Sequence, residues 1–560
     1  MNFQKIGKNI FFAAMLFFVV FVGQSAKAAD DIGNYTNFTV EERFEKNEKS
    51  QVSAVLVKTT ANLYFYIDKS WWEAQVLGKQ NEILANLDVL SNEFSNNIYP
   101  TLTSVFGQER KPGVDGGNRI TILFHLMKEG AGGYFRSADE YINLQVPGSN
   151  EREMLYLPIL DIDSSKAKIF LAHEFVHLIT FNQKDMIHNV QEEVWLNEAR
   201  ADYSSTILGY DSFYEGSNLQ RRVKDFLNSP SDSVIEWQES KYDYASISLF
   251  MHYLTDHYGI NILSDSLKSE LVGIASINKI LLENGYKEDF KQIFTNWTVA
   301  TLINDCSLDQ KYCYLNSNLK NIRLNPTLNF LPLSGSSSLS VTNVTKNWSG
   351  NWQKIIGGNG NLKLTFTSLT GLSFQVPYIL YEKTGAYTVN FLKLDAKQKG
   401  EIVVQDFGTK YNSLIIIPSL QTKMLGFDGA ELTYPYTFTV SINQNTSQED
   451  TVTIQKLLDQ IEELKKQIAD ILAQGNPGGV SCVALNSNLY IGLSNNDVRC
   501  LQQFLISQGV DIYPEALVTG YFGNFTKAAT IRFQKKYGIP DTGFVGILTR
   551  AKINTLLNPS

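Results

Sequence analysis

The segment that most constrains the fold is His173-Glu174-Phe175-Val176-His177, set in an apolar-periodic stretch, residues 169–181, without Pro or Gly. Such a stretch predicts a helix, and helical positions four apart share a face. Two imidazoles so placed can reach one Zn²⁺ together, while Glu174, one residue on from the first, leans toward a water held at the same point. With only six histidines in 560 residues, chance explains this pattern poorly. Twenty-one residues after His177, a second helical pattern, Trp195-Leu-Asn-Glu198-Ala-Arg-Ala-Asp202, again puts two acids four apart. Laid antiparallel to the first helix, it brings Glu198 in as a third, carboxylate ligand. Asp202, one turn further, is then placed to accept from the outer nitrogen of a ligand histidine, His173 first.

The compartment is read from the N-terminus. Lys5 and Lys8 precede thirteen apolar residues, 10–22, and Ala26-Lys27-Ala28 supplies small residues at signal-peptidase positions, so residues 1–28 read as a signal peptide. Thirteen residues fall short of the roughly 20 that span a bilayer. The four cysteines fall as two short-range pairs, Cys306 with Cys313 and Cys482 with Cys500, which in an exported chain predicts two local disulfides. With 49 Lys and Arg against 57 Asp and Glu, the chain lacks the basic excess of a nucleic-acid protein.

At 43% hydrophobic residues over this length, several domains are expected. Residues 29–163 mix strand-like 61–67 and 119–125 with a helical stretch, 80–97, and read as a small α/β region. Residues 164–322 turn helical, with helices expected near 165–181, 191–209, 217–227, 242–258 and 265–300, the fourth ended by Gly259. Residues 323–446 alternate at period two, as in Leu362-Lys-Leu-Thr-Phe366, and predict an all-β sandwich. In residues 447–480, Ile454, Ile461 and Ile468 alternate with Leu457, Leu464 and Ile471 in a/d heptads before a Gly/Pro linker. This is a short coiled-coil helix, a spacer or a weak self-association segment over 452–472. Residues 481–560 are helical, with seven basic and four acidic side chains.

The HExxH helix followed by Asn197-Glu198 and Asp202 resembles the gluzincin zinc metallopeptidases. Together with Asn118-Arg-Ile-Thr-Ile-Leu123 and Gly132-Gly-Tyr-Phe135, it is most similar to the hyicolysin-type bacterial peptidases over residues 55–300. The resemblance implies an α+β, thermolysin-like catalytic domain, one zinc on His173, His177 and Glu198, a water as fourth ligand, and Glu174 as general base. It also implies an oxyanion donor on the helix that begins Tyr242-Asp-Tyr244-Ala245. By spacing to the small residue, Tyr242 is expected, with Tyr244, His252 and His257 as alternates. His125 and His188 read as structural or surface residues. Gluzincins pair substrate with an edge strand, for which residues 130–135 and 152–157 are both candidates. Asp115-Gly-Gly-Asn118 reads as a turn. Ala199 and Asp202 depart from relatives that carry Gly after the ligand Glu and an acid slightly displaced.

Residues 485–557 hold two related patterns, with Leu501-Gln502 and Phe533-Gln534 pairs and Gly-x-x-Thr starts at Gly523 and Gly546. They resemble the small helical peptidoglycan-binding module, a three-helix domain. The combined expectation is an exported metalloendopeptidase that cleaves proteins at the cell envelope, held to peptidoglycan by its C-terminus. Two rivals remain: the same zinc site acting on peptidoglycan stem peptides, and a non-catalytic wall-bound adhesin or scaffold.

Overall fold

The computed structural model describes residues 31–427, 432–443, 456–457, 459–460, 463 and 482–558. The expected signal peptide and nearly all of the expected coiled coil lie outside them. The chain divides into two compact units between Asn445 and Thr446.

The first unit opens with β1 (Tyr35–Thr39), β2 (Gln51–Thr59), β3 (Leu63–Asp68), β4 (Ile120–His125), β5 (Tyr134–Phe135) and β6 (Met154–Pro158), in sheet order β1-β2-β3-β4-β6-β5. β4 lies parallel to both β3 and β6 and is buried along its whole length, which is why it reads as an unbroken apolar run rather than an alternation. Its Ile122 and Phe124 face the helices, and Leu123 faces a second core built on Phe38, Tyr66 and Tyr156. β6 is paired on both sides, so the free edge belongs to β5.

On the helical side lie α1 (Lys69–Glu73), α2 (Leu77–Glu93), α3 (Tyr99–Phe106), α4 (Lys166–Phe181), α5 (Val194–Ile207), α6 (Asn218–Asn228) and α7 (Lys241–Tyr258). A capping box between Ser240 and Asp243 starts α7, and Gly259, at φ +84°, ends it as expected. The helix expected across 265–300 is instead three: α8 (Asn261–Leu267), α9 (Gly273–Glu283) and α10 (Phe290–Ile303). Gly273 and Gly285 hold φ of +54° and +79°, left-handed values at which a right-handed helix cannot continue.

Eleven strands follow: β7 (Thr327–Leu331), β8 (Ser337–Lys346), β9 (Gln353–Gly357), β10 (Gly360–Ser368), β11 (Phe374–Gln375), β12 (Pro377–Glu382), β13 (Tyr387–Phe391), β14 (Lys399–Phe407), β15 (Tyr411–Ile416), β16 (Ser419–Leu420) and β17 (Thr433–Asn443). Nine of them form one hydrogen-bonded sheet rather than the two separate sheets expected: β8, β17, β10 and β14 in one layer are joined to β13, β12, β15, β9 and β7 in the other at the single pair Phe407–Tyr411 between β14 and β15. Leu364, Phe366, Phe438 and Val440 from the first layer meet Ile355, Leu414 and Ile416 from the second in one core. The sandwich also shares the helical core. Trp348 is fully buried against Phe290 and Phe294 of α10, with ring centroids 5.0 and 5.4 Å away, and the Trp352 indole donates to the Thr298 carbonyl at 2.9 Å.

The second unit contains α11 (Asn496–Ser507), α12 (Asn524–Lys536) and α13 (Ile547–Leu557) around a core of Leu501, Phe504, Phe522, Phe533 and Val545. Two buried glutamines fasten it in the same way. Gln502 accepts from Gly520 N–H at 2.8 Å and donates to the Tyr521 carbonyl and the Thr526 hydroxyl, both at 2.9 Å. Gln534 accepts from Gly543 N–H at 2.8 Å and donates to the Phe544 carbonyl at 2.8 Å and the Thr549 hydroxyl at 3.0 Å. The recurring Gln and Gly-x-x-Thr of the sequence are these two clasps. Both expected disulfides, Cys306–Cys313 and Cys482–Cys500, are formed.

Candidate metal centre

α4 and α5 pack together, and their facing turns carry the site. His173 Nε2 lies 3.2 Å from one Glu198 oxygen, and His177 Nε2 lies 3.5 Å from the other. One ligand atom from each of His173, His177 and Glu198 falls within 4.8 Å of the other two; among the described residues this is the one group of three or more such side chains so placed. A tetrahedral zinc with bonds of ~2.0–2.1 Å sets neighbouring ligand atoms about 3.3 Å apart, close to the separations seen here.

The donor chemistry fits a cation as well. Glu198 Oε2 is buried without a hydrogen-bond donor, although a ring nitrogen stands 3.2 Å away. A carboxylate oxygen and the lone pair of a neutral imidazole both accept, so this contact calls for a positive charge between them, either a proton on His173 or a metal ion. Burial disfavours a charged His173, yet Glu198, Glu174 and Asp202 together push its pKa up to about 9. The same imidazoles, with Tyr244, hold Glu198 below the usual carboxylate range against its own burial.

Glu174 is buried beside the ligands. Burial raises its pKa, the two histidines oppose that, and the Phe135 backbone supports it with a hydrogen bond. The edge strand therefore runs over the metal helix. Gly133 makes this approach possible: at φ +141°, a Cβ there would sit 3.0 Å from Glu174 Cγ and Oε1 and 2.9 Å from the Tyr156 carbonyl. Of the two edge-strand candidates, residues 130–135 are at the sheet edge, whereas 152–157 belong to the interior β6.

Two expectations need correction. Tyr242 stays away from the metal ligands and lies against its neighbour Lys241. Tyr244 is the tyrosine at the site, its ring 6.4 Å from that of His173 and its hydroxyl raised in pKa by burial and by the charges of Glu198 and Glu174. Two residues along a helix is a rotation of about 200°, so only one of the pair can face α5. Asp202 does not take the outer nitrogen of His173 as its hydrogen-bond partner. Its Oδ1 accepts from Arg222 Nε and Nη2 at 3.0 and 2.6 Å and from Asn218 at 3.0 Å, and it acts on His173 through its charge.

The orienting contact observed falls on the other ligand. His177 Nδ1 is 3.0 Å from Asn197 Oδ1, which leaves Nε2 turned toward Glu198 and free to ligate. Sequence reasoning passed over Asn197, although its position immediately before the ligand Glu198 was the available signal. Of the remaining histidines, His125 and His252 are buried in the core and His188 and His257 are half-buried. His252 is buried between Thr206, Asn316 and the Tyr203 ring, and burial pulls its pKa down to about 4. His257 is 3.0 Å from the Cys313 carbonyl, and His125 is 3.3 Å from the Tyr134 hydroxyl.

A family model for the peptidoglycan binding domain matches residues 494–553. The C-terminal unit is a peptidoglycan-binding module. That match supports association with a cell wall, and no helix among the described residues is long and apolar enough to cross a membrane. No curated protein matches the chain. Among solved structures, the chain is similar to the Yersinia pseudotuberculosis-derived mitogen, at 10% identity over 20% of this chain and 92% of that one, with a TM-score of 0.15. It is similar to Aeromonas hydrophila PliG, a periplasmic inhibitor of g-type lysozyme, at 8% identity, 21% and 98% coverage and a TM-score of 0.15. It is also similar to the pre-peptidase C-terminal domain of a Bacillus anthracis collagenase, at 9% identity, 21% and 96% coverage and a TM-score of 0.14.

Proposed function

We propose that the first unit is a zinc-dependent endopeptidase, of the gluzincin kind its sequence resembles, working on proteins at a cell wall to which the C-terminal module attaches it. The observation that carries this reading is the convergence of His173, His177 and Glu198 beside a buried Glu174 and a free strand edge.

A zinc ion on these ligands supplies Lewis acidity toward a carbonyl oxygen and lowers the pKa of a water. The residues do the rest. An extended peptide pairs along β5, which brings its scissile carbonyl over α4. Glu174, made more basic by burial while the neighbouring imidazoles favour its ionised form, takes the proton of the attacking water and returns it to the leaving nitrogen. The Tyr244 hydroxyl, facing the same ligands, donates to the oxyanion as it forms. Asn197 and the Arg222–Asp202 pair hold the imidazole and the phenol in position.

The test compares residues 30–560 with a Glu174→Gln variant for zinc content and casein cleavage. One zinc per chain in both, with cleavage lost only in the variant, supports the reading; a parent chain that takes up no zinc overturns it. The peptidoglycan-binding module favours a second reading, hydrolysis of peptidoglycan stem peptides by the same site. Loss of turbidity in a wall suspension, without release of peptides from casein, would select it. If neither substrate is cut while wall binding persists, the chain is a non-catalytic wall-bound protein.

A further inference from the structure

In the C-terminal module, residues 489–495 run between the two glutamine-clasped turns and pair with both. Leu489 exchanges backbone hydrogen bonds with Val545 at 3.2 and 2.9 Å, Phe522 N–H donates to the Leu493 carbonyl at 2.8 Å, and Gly492 N–H donates to the Phe522 carbonyl at 2.9 Å. The result is a three-segment patch of sheet. Side chains alternate across it, as pairing requires. Leu489, Phe522 and Val545 are fully buried beneath, while Tyr490, Tyr521 and Phe544 stand on the outer side at 49%, 51% and 42% exposure.

The outer rings form a strip. Tyr490 and Phe544 stack with centroids 6.3 Å apart and planes 25° from parallel. Tyr521 sits opposite Ser494 on the far side of the middle segment. Asn488, which accepts from Arg550, and Asn524 are exposed two residues before Tyr490 and three residues after Tyr521. Tyr521 and Phe544 occupy the same place in the repeated Thr-Gly-x-x-Gly-x-x-Thr turn, so the clasp that buries Gln502 or Gln534 also thrusts an aromatic ring outward, twice. None of the three rings is needed for the core, which closes without them. Three aromatic side chains left in water on so small a module mark a contact surface.

We propose that this strip, Tyr490, Tyr521 and Phe544, is where the module takes the glycan strand of peptidoglycan, its N-acetylated sugar rings lying flat on the aromatic faces. The proposal rests on the family match of residues 494–553 and is independent of the zinc site. A glycan is the occupant that fits. Its sugars repeat along a line, as the rings do, and their axial C–H faces are apolar while their edges carry hydroxyl and acetamido groups for the flanking amides. A stem peptide, with its carboxylates, calls for cationic contacts; the three rings offer none, but Arg499, Lys527 and Arg550 stand beside the turns and Asn488, so competition between the two ligands is what separates glycan from peptide.

The experiment uses the full chain in a Glu174→Gln background, so that the zinc site cleaves nothing, and measures co-sedimentation with purified insoluble peptidoglycan. Tyr490→Ala, Tyr521→Ala and Phe544→Ala are each expected to weaken retention about tenfold or more. Tyr490→Phe and Tyr521→Phe keep the rings and should retain binding. Phe544→Leu keeps the bulk, loses the ring and should bind as poorly as Phe544→Ala, which separates recognition from folding. Glycan strands stripped of peptide should compete, and free stem peptides should not. Retention unchanged by all three ring removals, or competition by stem peptides alone, overturns the strip as the glycan site. A parent chain that fails to sediment at all overturns the module's wall-binding role along with it.

Discussion

The guanidinium carbon of Arg222 lies 4.6 Å from the centre of the Tyr244 ring while its nitrogens grip Asp202, so one cation clamps the phenol from one side as the Trp237 ring meets it edge-on at 4.8 Å. A phenol held this firmly, beside Glu198, is placed to act rather than to fill space. Tyr244→Phe should lower kcat by about 10²–10³ with zinc content and KM nearly unchanged, the size expected for one lost oxyanion donor. Tyr242→Phe should leave kcat within a factor of two, because that half-buried ring lies against Lys241. Equal losses in both variants would remove Tyr244 from the reaction.

Asn197 predicts a binding effect instead of a chemical one. Without its carbonyl oxygen, His177 loses the partner that fixes its tautomer. Asn197→Ala should weaken zinc binding about 10–100-fold, read by competition with a chelator, while activity at saturating zinc largely returns.

The shared face of His173 and His177 was legible because its geometry is local: four residues on a helix are one face whatever the tertiary fold. Tyr244 was not visible in this way. Which face of α7 turns inward depends on how it packs against α5 and α6, and the cap that sets its start spends Asp243 on Ser240, information that appears only when the helix is built. Asp202 misled for a related reason. Its partner, Arg222, comes from α6, outside any spacing rule that links it to His173. The sandwich was legible as strands, but its shared core with α10 was not, since Trp348 and Trp352 read equally well as rim residues of an independent domain.

Acid should destabilise the first unit partly through His125. Burial holds this side chain down to about 4 in the folded state against 6.5 in an exposed one, so it stays neutral where the unfolded chain is already protonated. The stabilisation it allows is complete above pH 6.5, falls as the pH drops from 6.5 to about 4, and levels off below that. Two and a half pH decades correspond to about 3 kcal/mol. His125→Gln, which still reaches the Tyr134 hydroxyl, should flatten the dependence of chemical-denaturation stability in that window relative to the parent. An unchanged slope would mean that other groups carry the acid response.

Trp348 is the test of how far the sandwich and the helical part depend on each other. Trp348→Ala opens a hole against Phe290 and Phe294 and strands the Lys423 carbonyl that the indole serves at 2.7 Å. A loss of about 3–5 kcal/mol is expected. Both parts should melt together, seen as one transition that moves as a whole; a helical part whose melting stays in place while the sandwich alone loosens would contradict the shared core.

The way β17 closes the first unit has a mechanical meaning. It is the last described strand before the division between the units, and it is hydrogen-bonded along its length to β10 on one side and β8 on the other. Tension arriving along the chain from a wall-bound C-terminus therefore loads two ladders in shear, all rungs at once, instead of peeling an edge strand one rung at a time. An anchored chain with this exit strand resists being unravelled by flow or growth of the surface it holds, and the candidate metal ligands, far upstream in sequence on α4 and α5, are among the last residues that such a pull would reach.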